Sequence, residues 1–138
     1  MTADFLVDTN VWSELIKRSA HHNVVSWYEN SSSSLFLSVI TLHEFQYGLL
    51  RHPSPLMKKA GEKVIAGYDV LDVNSAIANL AAQLRAGLAA KGQVLHLADS
   101  LIAATAKIHN FILVTRNTRD FEGIEVTLLN PFDENPFK

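Results

Sequence analysis

Residues 5–17 read FLVDTNVWSELIK, and this stretch contains the unit from which the rest of the fold is predicted. The apolar run Phe5–Val7 is short and rich in Phe, Leu and Val, which is typical of a buried strand. The run ends at Asp8, and Asp8, Thr9 and Asn10 offer side chains that cap a following helix. The stretch therefore predicts a strand that passes into a helix at a carboxylate.

The same alternation of strand and helix patterns continues along the chain. Apolar or β-branched runs predict further strands at Leu35–Ser38, 68–73, 111–115 and 125–129. Helical spacing of apolar residues predicts helices at 11–17, 24–29, 41–51, 55–66, 75–91 and Leu97–His109. Together the two patterns cover most of the chain.

Several polar residues are predicted to delimit these helices. Asn23 and Asn74 are expected N-caps, because a short polar side chain accepts hydrogen bonds from the first free backbone donors. Thr41 and Glu44 match the capping box, in which the two residues satisfy each other's backbone donors. Asn110 is the expected left-handed terminator of its helix.

Strands that alternate with helices predict an α/β fold. We expect a mainly parallel central sheet of four to five strands with helices on both faces. Ligands of such sheets bind beyond the carboxyl ends of the strands, at a switch in strand order. Asp8 closes the first strand and Asn117 follows the fourth, so both are expected at that edge. The path of the paired helices between strands two and four stays open.

Length and composition limit the classes of protein to be considered. The 138 residues, with 48% hydrophobic content, predict a single packed domain over 1–138, with a frayed tail after about residue 131. The absence of cysteine excludes disulfides, zinc thiolate sites and thiol catalysis, and it favours a reducing compartment. There is no basic n-region and no apolar run of membrane length, so a cytoplasmic protein without membrane contact is expected.

The formal net charge is -2, which gives no support for a broad electrostatic nucleic-acid surface. Any nucleic-acid function must therefore depend on a local site. Asp8, Glu44 and Asp99 each have a local explanation, as a cap, a capping-box partner and a complement to a helix dipole. If the fold brings them to one edge, they repel and raise one another's pKa values, and a hard divalent cation such as Mg²⁺ relieves the repulsion.

Four segments, in order, carry a resemblance to a known family. They are FLVDTNVWSELIK at 5–17, SVITLHEFQYGLLR at 38–51, LADSLIAATAK at 97–107 and ILVTRNTRDFEGIEV at 112–126. The Ala-Asp-x-x-Ile-Ala-Ala-Thr-Ala pattern is the most specific of them. The chain resembles the PIN-domain family, and within it the VapC and FitB type of toxin, over nearly its whole length.

This resemblance implies an α/β/α sandwich that cleaves RNA with Mg²⁺, or alternatively Mn²⁺. It maps the metal-binding acids of the family onto Asp8, Glu44 and Asp99. The remaining catalytic position falls in the turn that contains Asn117 and Asp120. Many relatives carry an acid where Asn117 stands, so Asp120 either compensates for the missing charge or only caps the turn.

The mechanistic hypothesis assigns roles to the surrounding polar groups. Asp8 and Asp99 hold the principal cation, while Glu44 is a ligand or orients the attacking water. The groups expected to hydrogen-bond the ligands or bound water are Thr9, Asn10 and Thr115, and the candidate RNA contacts are Arg116 and Arg51. Attack by water on phosphorus leaves a 5′-phosphate and a 3′-hydroxyl.

The resemblance also implies macromolecular partners. An RNA substrate and a cognate antitoxin of the VapB or FitA type are expected, with an antitoxin Arg placed among the carboxylates. A homodimer is implied, and with the antitoxin a larger symmetric assembly.

Three other functions were weighed. His43-Glu44 would need a second His at position 47 to form a zinc protease motif, and Tyr47 stands there. A phosphatase with Asp8 as nucleophile would need a second acid two residues on, and Asn10 stands there. A catalytically weak or inactive module that binds RNA or a partner stays open, because Asn117 lacks the usual charge.

Overall fold

The computed structural model describes residues 3–31 and 34–134. Its centre is one parallel sheet with the strand order β3-β2-β1-β4-β5. The strands are β1 (Phe5–Val7), β2 (Leu35–Ser38), β3 (Asp69–Leu71), β4 (Ile112–Val114) and β5 (Leu128–Leu129). The helices are α1 (Thr9–Leu15), α2 (His22–Asn30), α3 (Val39–Arg51), α4 (Pro55–Gly67), α5 (Ser75–Ala89) and α6 (Leu97–His109), followed by a 3-10 turn (Thr118–Phe121).

The register places the central strand between two partners from later in the chain. Phe5 pairs with Leu35 of β2 on one side, and Val7 pairs with Val114 of β4 on the other. Because all pairs are parallel, the carboxyl ends of β1, β2 and β4 meet at one edge of the sheet. Asp8 follows β1 directly at this edge, as the sequence predicts.

Two apolar clusters cover opposite faces of the sheet, which confirms the predicted α/β/α class. Successive side chains of a strand point to opposite faces, and Val7 and Leu6 accordingly belong to different clusters. Val7 packs with Trp12 of α1, while Leu6 packs with Ile102 of α6 and Phe121 of the 3-10 turn. No helix in the described ranges is long and apolar enough to cross a membrane.

Two predicted helix caps are wrong. Helix α2 is capped by His21, whose Nδ1 accepts from the backbone N–H of Asn23, so Asn23 lies inside the first turn. Helix α3 is capped by Ser38, whose hydroxyl accepts from the backbone N–H of Ile40. Since α3 starts directly at the end of β2, Thr41 lies inside the helix and is buried, so the capping box with Glu44 does not form.

Two other cap predictions are confirmed. The side chain of Asn74 accepts from the backbone N–H of Ile77 at 2.9 Å and begins α5. Asn110 ends α6 with φ 58 and ψ 41, the left-handed conformation that short polar side chains tolerate.

The C-terminal region departs from the sequence prediction. The fifth strand is only Leu128–Leu129, not 125–129. Pro131 is buried and Phe132 packs against the cluster that contains Val7, while the frayed tail after about residue 131 stays a prediction. Residues 135–138 lie outside the described part of the chain.

Candidate active site

Asp8 is the buried centre of the polar edge of the sheet, with 7% of its surface exposed. One carboxylate oxygen accepts from the backbone N–H of Thr9 at 2.8 Å. The other accepts from the Thr115 hydroxyl at 2.8 Å and from the Asn10 amide at 3.2 Å. Burial raises the pKa of Asp8 and the charge of Glu44 adds to this, while the three hydrogen bonds offset part of the rise.

Asn10 and Thr115 join the start of α1 to the turn after β4. The amide oxygen of Asn10 accepts from the backbone N–H of Arg116 at 3.1 Å. The Thr115 hydroxyl donates to Asp8 and accepts from the backbone N–H of Asn117 at 3.1 Å. These bonds fix the turn after β4 relative to the carboxylate of Asp8, as the sequence hypothesis expects for Asn10 and Thr115.

Thr9 connects the site to helix α3. Its hydroxyl lies 2.7 Å from a carboxylate oxygen of Glu44 and 3.2 Å from the hydroxyl of Thr41. The single hydroxyl proton can be donated to one acceptor at a time, and the shorter contact to a charged acceptor favours Glu44. Glu44 is exposed, so Thr9 holds a solvated carboxylate beside the end of β1.

Asp99 lies half-buried in the first turn of α6. Burial is the largest cause that raises the pKa of Asp99 to about 6, and the charges of Asp8, Asp120 and Glu44 add to it. The positive charge of His96 acts in the opposite direction. Because the charges of the other three predicted acids all act on Asp99, the fold places the four acids near one another.

The 3-10 turn presents Asn117 and Asp120 differently. Asn117 is exposed and precedes the turn without a side-chain capping bond. Asp120 is also exposed, and its charge contributes to the raised pKa of Asp99. The negative charge that this turn adds to the site therefore comes from Asp120.

The two predicted basic contacts lie in different places. The guanidinium of Arg51 donates to the hydroxyl of Tyr47 at 3.1 Å, one turn earlier on α3, and no described contact connects it to the acids. Arg116 belongs to the turn beside Asp8, and its guanidinium carbon lies 4.6 Å from the ring centre of Phe132. The fold therefore connects Arg116, but not Arg51, to the acidic site.

The sequence did not single out the groups that hold Arg116. Asn130 donates its amide to the Arg116 carbonyl at 3.4 Å and accepts from the backbone N–H of Phe132 at 3.0 Å. The Asn130-Pro131 pair after the last strand is a turn signal, but nothing in it indicates a connection to Arg116.

The side chains at this edge of the sheet determine which metal ion could bind there. In residues 3–31 and 34–134, no three His, Cys, Asp or Glu side chains are grouped closely enough to hold a metal by themselves. Mg²⁺ does not require such a group, because it keeps several waters and is bound through one or two carboxylates. The acids at this edge offer oxygen ligands, and the chain has no cysteine thiolate, so the chemistry of the site fits a hard divalent cation.

Comparison with known proteins identifies the fold family. The PIN domain family matches residues 5–126. This chain belongs to the PIN-domain family. The resemblance found in the four sequence segments is thereby confirmed.

Named relatives of this PIN domain are toxins and ribonucleases. It is 32% identical over 141 residues to the VapC ribonuclease Y4jK of Sinorhizobium fredii, covering 93% of this chain and 97% of the relative. It is 33% identical over 121 residues to the tRNA(fMet)-specific endonuclease VapC of Shigella flexneri, covering 87% and 91%.

Solved structures show the same fold. The FitAcB structure from Neisseria gonorrhoeae superposes with a TM-score of 0.81 at 30% identity, covering 93% of this chain and 98% of that one. The DNA-bound VapBC structure from Salmonella typhimurium gives a TM-score of 0.75 at 31% identity, covering 92% and 97%. The family match of this PIN domain ends at residue 126, so Asn130 and Phe132 lie beyond it.

Proposed function

We propose that this PIN domain is an endoribonuclease toxin of a toxin–antitoxin pair that hydrolyses RNA phosphodiester bonds. The observation that carries the proposal is the electrostatic coupling of the buried Asp8 and the half-buried Asp99 with Glu44 and Asp120. The ion pairs among described residues join Lys17 to Glu14 and Lys107 to Glu125, so none of these four acids is in an ion pair with a described basic side chain. The ribonuclease relatives supply the substrate class.

The proposed cofactor is Mg²⁺, with Mn²⁺ as the alternative. Asp8 and Asp99 would hold the cation, together with Glu44 directly or through water. When bound, it supplies an activated water and neutralises charge on the phosphate. Nothing in the donor set distinguishes the two metals, because both prefer oxygen ligands.

Neighbouring side chains and backbone groups orient the carboxylates of Asp8 and Glu44. The hydrogen bonds from Thr115 and Asn10 fix one oxygen of Asp8, and the bond from the backbone of Thr9 fixes the other. The Thr9 hydroxyl orients the exposed carboxylate of Glu44, which would accept a proton from the attacking water. Hydrolysis by this route leaves a 5′-phosphate and a 3′-hydroxyl, and a 2′,3′-cyclic phosphate on the products would contradict it.

The proposed partner is an antitoxin that covers the acids. The similar structures are named FitAcB and VapBC, and the Klebsiella pneumoniae structure is named a toxin–antitoxin complex. A site of several carboxylates that are not in ion pairs binds an arginine well, because a guanidinium contacts a carboxylate through two parallel hydrogen bonds. Such an arginine would compete with the cation. We also propose a homodimer, which a monomeric mass by light scattering well above micromolar concentration would contradict.

The deciding experiment is cleavage of total cellular RNA by the purified chain without antitoxin. Wild type is compared with Asp99→Asn in Mg²⁺ or Mn²⁺ and in EDTA. Asp69→Asn is the matched control, because Asp69 is an exposed carboxylate at the opposite end of the sheet, at the start of β3. Discrete metal-dependent fragments from wild type and the control, but not from Asp99→Asn, are expected.

The same experiment tests the rival function. A folded, metal-supplemented wild type that cleaves nothing would contradict the nuclease and favour a binding module, since Asn117 adds no charge at its position. Equal cleavage by wild type and Asp99→Asn would indicate a contaminating nuclease and remove the support for this site.

A further inference from the structure

Arg116 lies beside the acidic site without pairing with it. Its backbone N–H is bonded to Asn10, which is in turn bonded to Asp8. An exposed arginine whose backbone is linked to Asp8 in this way could pair with a carboxylate through its two-pronged guanidinium. Within the described residues, no carboxylate lies within ion-pair distance of Arg116, and the guanidinium stacks on Phe132 instead.

The ring of Phe132 is a fixed platform. The ring packs against the core cluster that contains Val7, and the His21 ring meets it edge-on with the centroids 5.3 Å apart. The Asn23 amide donates to the Phe132 carbonyl at 2.8 Å, and the Phe132 N–H donates to the Asn130 side chain at 3.0 Å. The backbone and the ring of Phe132 are therefore both held.

The same segment also holds the backbone of Arg116. Asn130, which accepts from Phe132, donates its amide to the Arg116 carbonyl. The tail thus fixes Arg116 at its carbonyl and at its guanidinium, while Asn10 fixes its N–H. A guanidinium held over an aromatic ring in this way can still donate through its N–H groups to an acceptor such as a phosphate.

We propose that Phe132 is a positioning residue, which holds Arg116 away from the carboxylates and presents its guanidinium to a phosphate of the bound RNA. The inference rests on the proposed function and deepens it. It concerns Phe132, which lies beyond residues 5–126 that the family model matches. Without the platform, Arg116 would be free to neutralise the acids on which cation binding depends.

The kinetic test uses substitutions that distinguish the aromatic face of Phe132 from its apolar bulk. Phe132→Leu keeps an apolar side chain but removes the aromatic face, whereas Phe132→Trp keeps the face. Phe132→Leu is expected to raise KM about two- to fivefold, the size of an exposed cation–π contact, with little change in kcat. Phe132→Trp should retain the wild-type KM. Arg116→Ala should raise KM at least as much as Phe132→Leu.

A double-mutant cycle shows whether Phe132 acts through Arg116. In the Arg116→Ala background, Phe132→Leu should have no further effect on KM, because its only route to the substrate is gone. The salt dependence of RNA binding should decrease by about one phosphate contact in Arg116→Ala and by part of that in Phe132→Leu. Effects on KM that multiply in the double variant would overturn the proposal.

A readout that needs no activity separates this inference from the proposed function. In wild type, ring current should shift the side-chain NMR resonances of Arg116 upfield; Phe132→Leu should abolish the shift and Phe132→Trp should keep it. Equal Arg116 shifts in wild type and Phe132→Leu would overturn the proposal that Phe132 positions Arg116, whether or not RNA is cleaved. If Phe132→Leu melts well below wild type, Arg116→Lys leaves the packing intact and should still raise KM, because lysine lacks the planar fork. A wild-type KM in Arg116→Lys would then count against the proposal.

Discussion

The two halves of the acidic site are built differently. On the strand side, Asp8 is buried and receives three hydrogen bonds from Thr9, Asn10 and Thr115. On the helix side, the pKa of Asp99 is raised by burial and by three other carboxylates. Hydrogen bonds thus offset part of the cost of the charge on Asp8, whereas the charge on Asp99 is opposed by its surroundings apart from His96.

This difference indicates that the strand side and the helix side of the site have different roles. The strand side is set in place by the fold, and it gives the site its geometry before any ligand arrives. The helix side holds mutually repelling carboxylates, and the proposed divalent cation would relieve that repulsion when it binds. Substitutions on the two sides should therefore affect stability in different ways even where they abolish the same activity.

The largest expected effect is a loss of activity in variants of either half of the site. The free energy of unfolding then distinguishes the two halves. Asp8→Asn and Asp99→Asn should each reduce RNA cleavage about a thousandfold, because each removes several kcal/mol of metal-dependent stabilisation. Asp8→Asn should also lower the free energy of unfolding by about 1–3 kcal/mol, since the new NH2 group would replace a carboxylate oxygen that accepts hydrogen bonds from Thr9 or from Thr115 and Asn10. Asp99→Asn should not lower it. Urea denaturation in EDTA measures the free energy of unfolding of both variants. Equal decreases in the two variants would contradict the proposed difference between the strand side and the helix side.

The next effect compares two residues of the same turn. Asp120→Asn should reduce kcat/KM about 10- to 100-fold, the usual cost of losing a group that supports metal ligands. Asn117→Ala should cost less than about threefold, because its side chain makes no capping bond. Asp120→Asn should also lower the pKa of Asp99, which the charge of Asp120 raises. A larger loss from Asn117→Ala than from Asp120→Asn would place the fourth position of the site at Asn117.

The smallest effect is on the pH dependence of stability. The pKa of Asp99 is about 6 in the folded chain against an ordinary value of 3.8, so between these pH values the folded state holds a proton that the unfolded state releases. In EDTA, wild type should therefore lose stability relative to Asp99→Asn as pH rises from about 4 to about 6. Solvent screening of this half-exposed group limits the loss to about 1 kcal/mol.

Added metal provides the control for this pH series. Above pH 6, Mg²⁺ or Mn²⁺ should raise the melting temperature of wild type and leave that of Asp99→Asn nearly unchanged, because the cation binds the ionised folded site. Below pH 5, the shift in wild type should disappear as Asp99 is protonated. A metal-dependent shift of the same size in both proteins would show that the cation binds elsewhere.

The residues at strand ends show how far the sequence alone could reach. Asp8 was predictable because a short apolar run ends there, and the parallel class then required other strand ends at the same edge. The helix residue Asp99 was grouped with it through the family pattern, and their electrostatic coupling agrees with that grouping. The roles of these acids in catalysis remain predictions that the substitutions above test.

The missed features depend on contacts between distant segments. Thr41 and Glu44 satisfy the local capping pattern, but the start of α3 is fixed by the end of β2, so Ser38 takes the cap. Asn23 matches the local pattern of an N-cap, but its side-chain amide donates to the carbonyl of the distant Phe132. The tail has a weak local pattern, and only packing against the core shows that it is ordered as far as Phe132.

The strand order has a consequence for synthesis of the protein. The central strand β1 is made before both of its partners, and its partner β4 begins only at Ile112. A growing chain therefore carries Asp8 long before the fold can place Asp99 and Asp120 beside it. A partly translated molecule therefore lacks the assembled acids, and the proposed nuclease would become active only after β4 and the turn that follows it have been made.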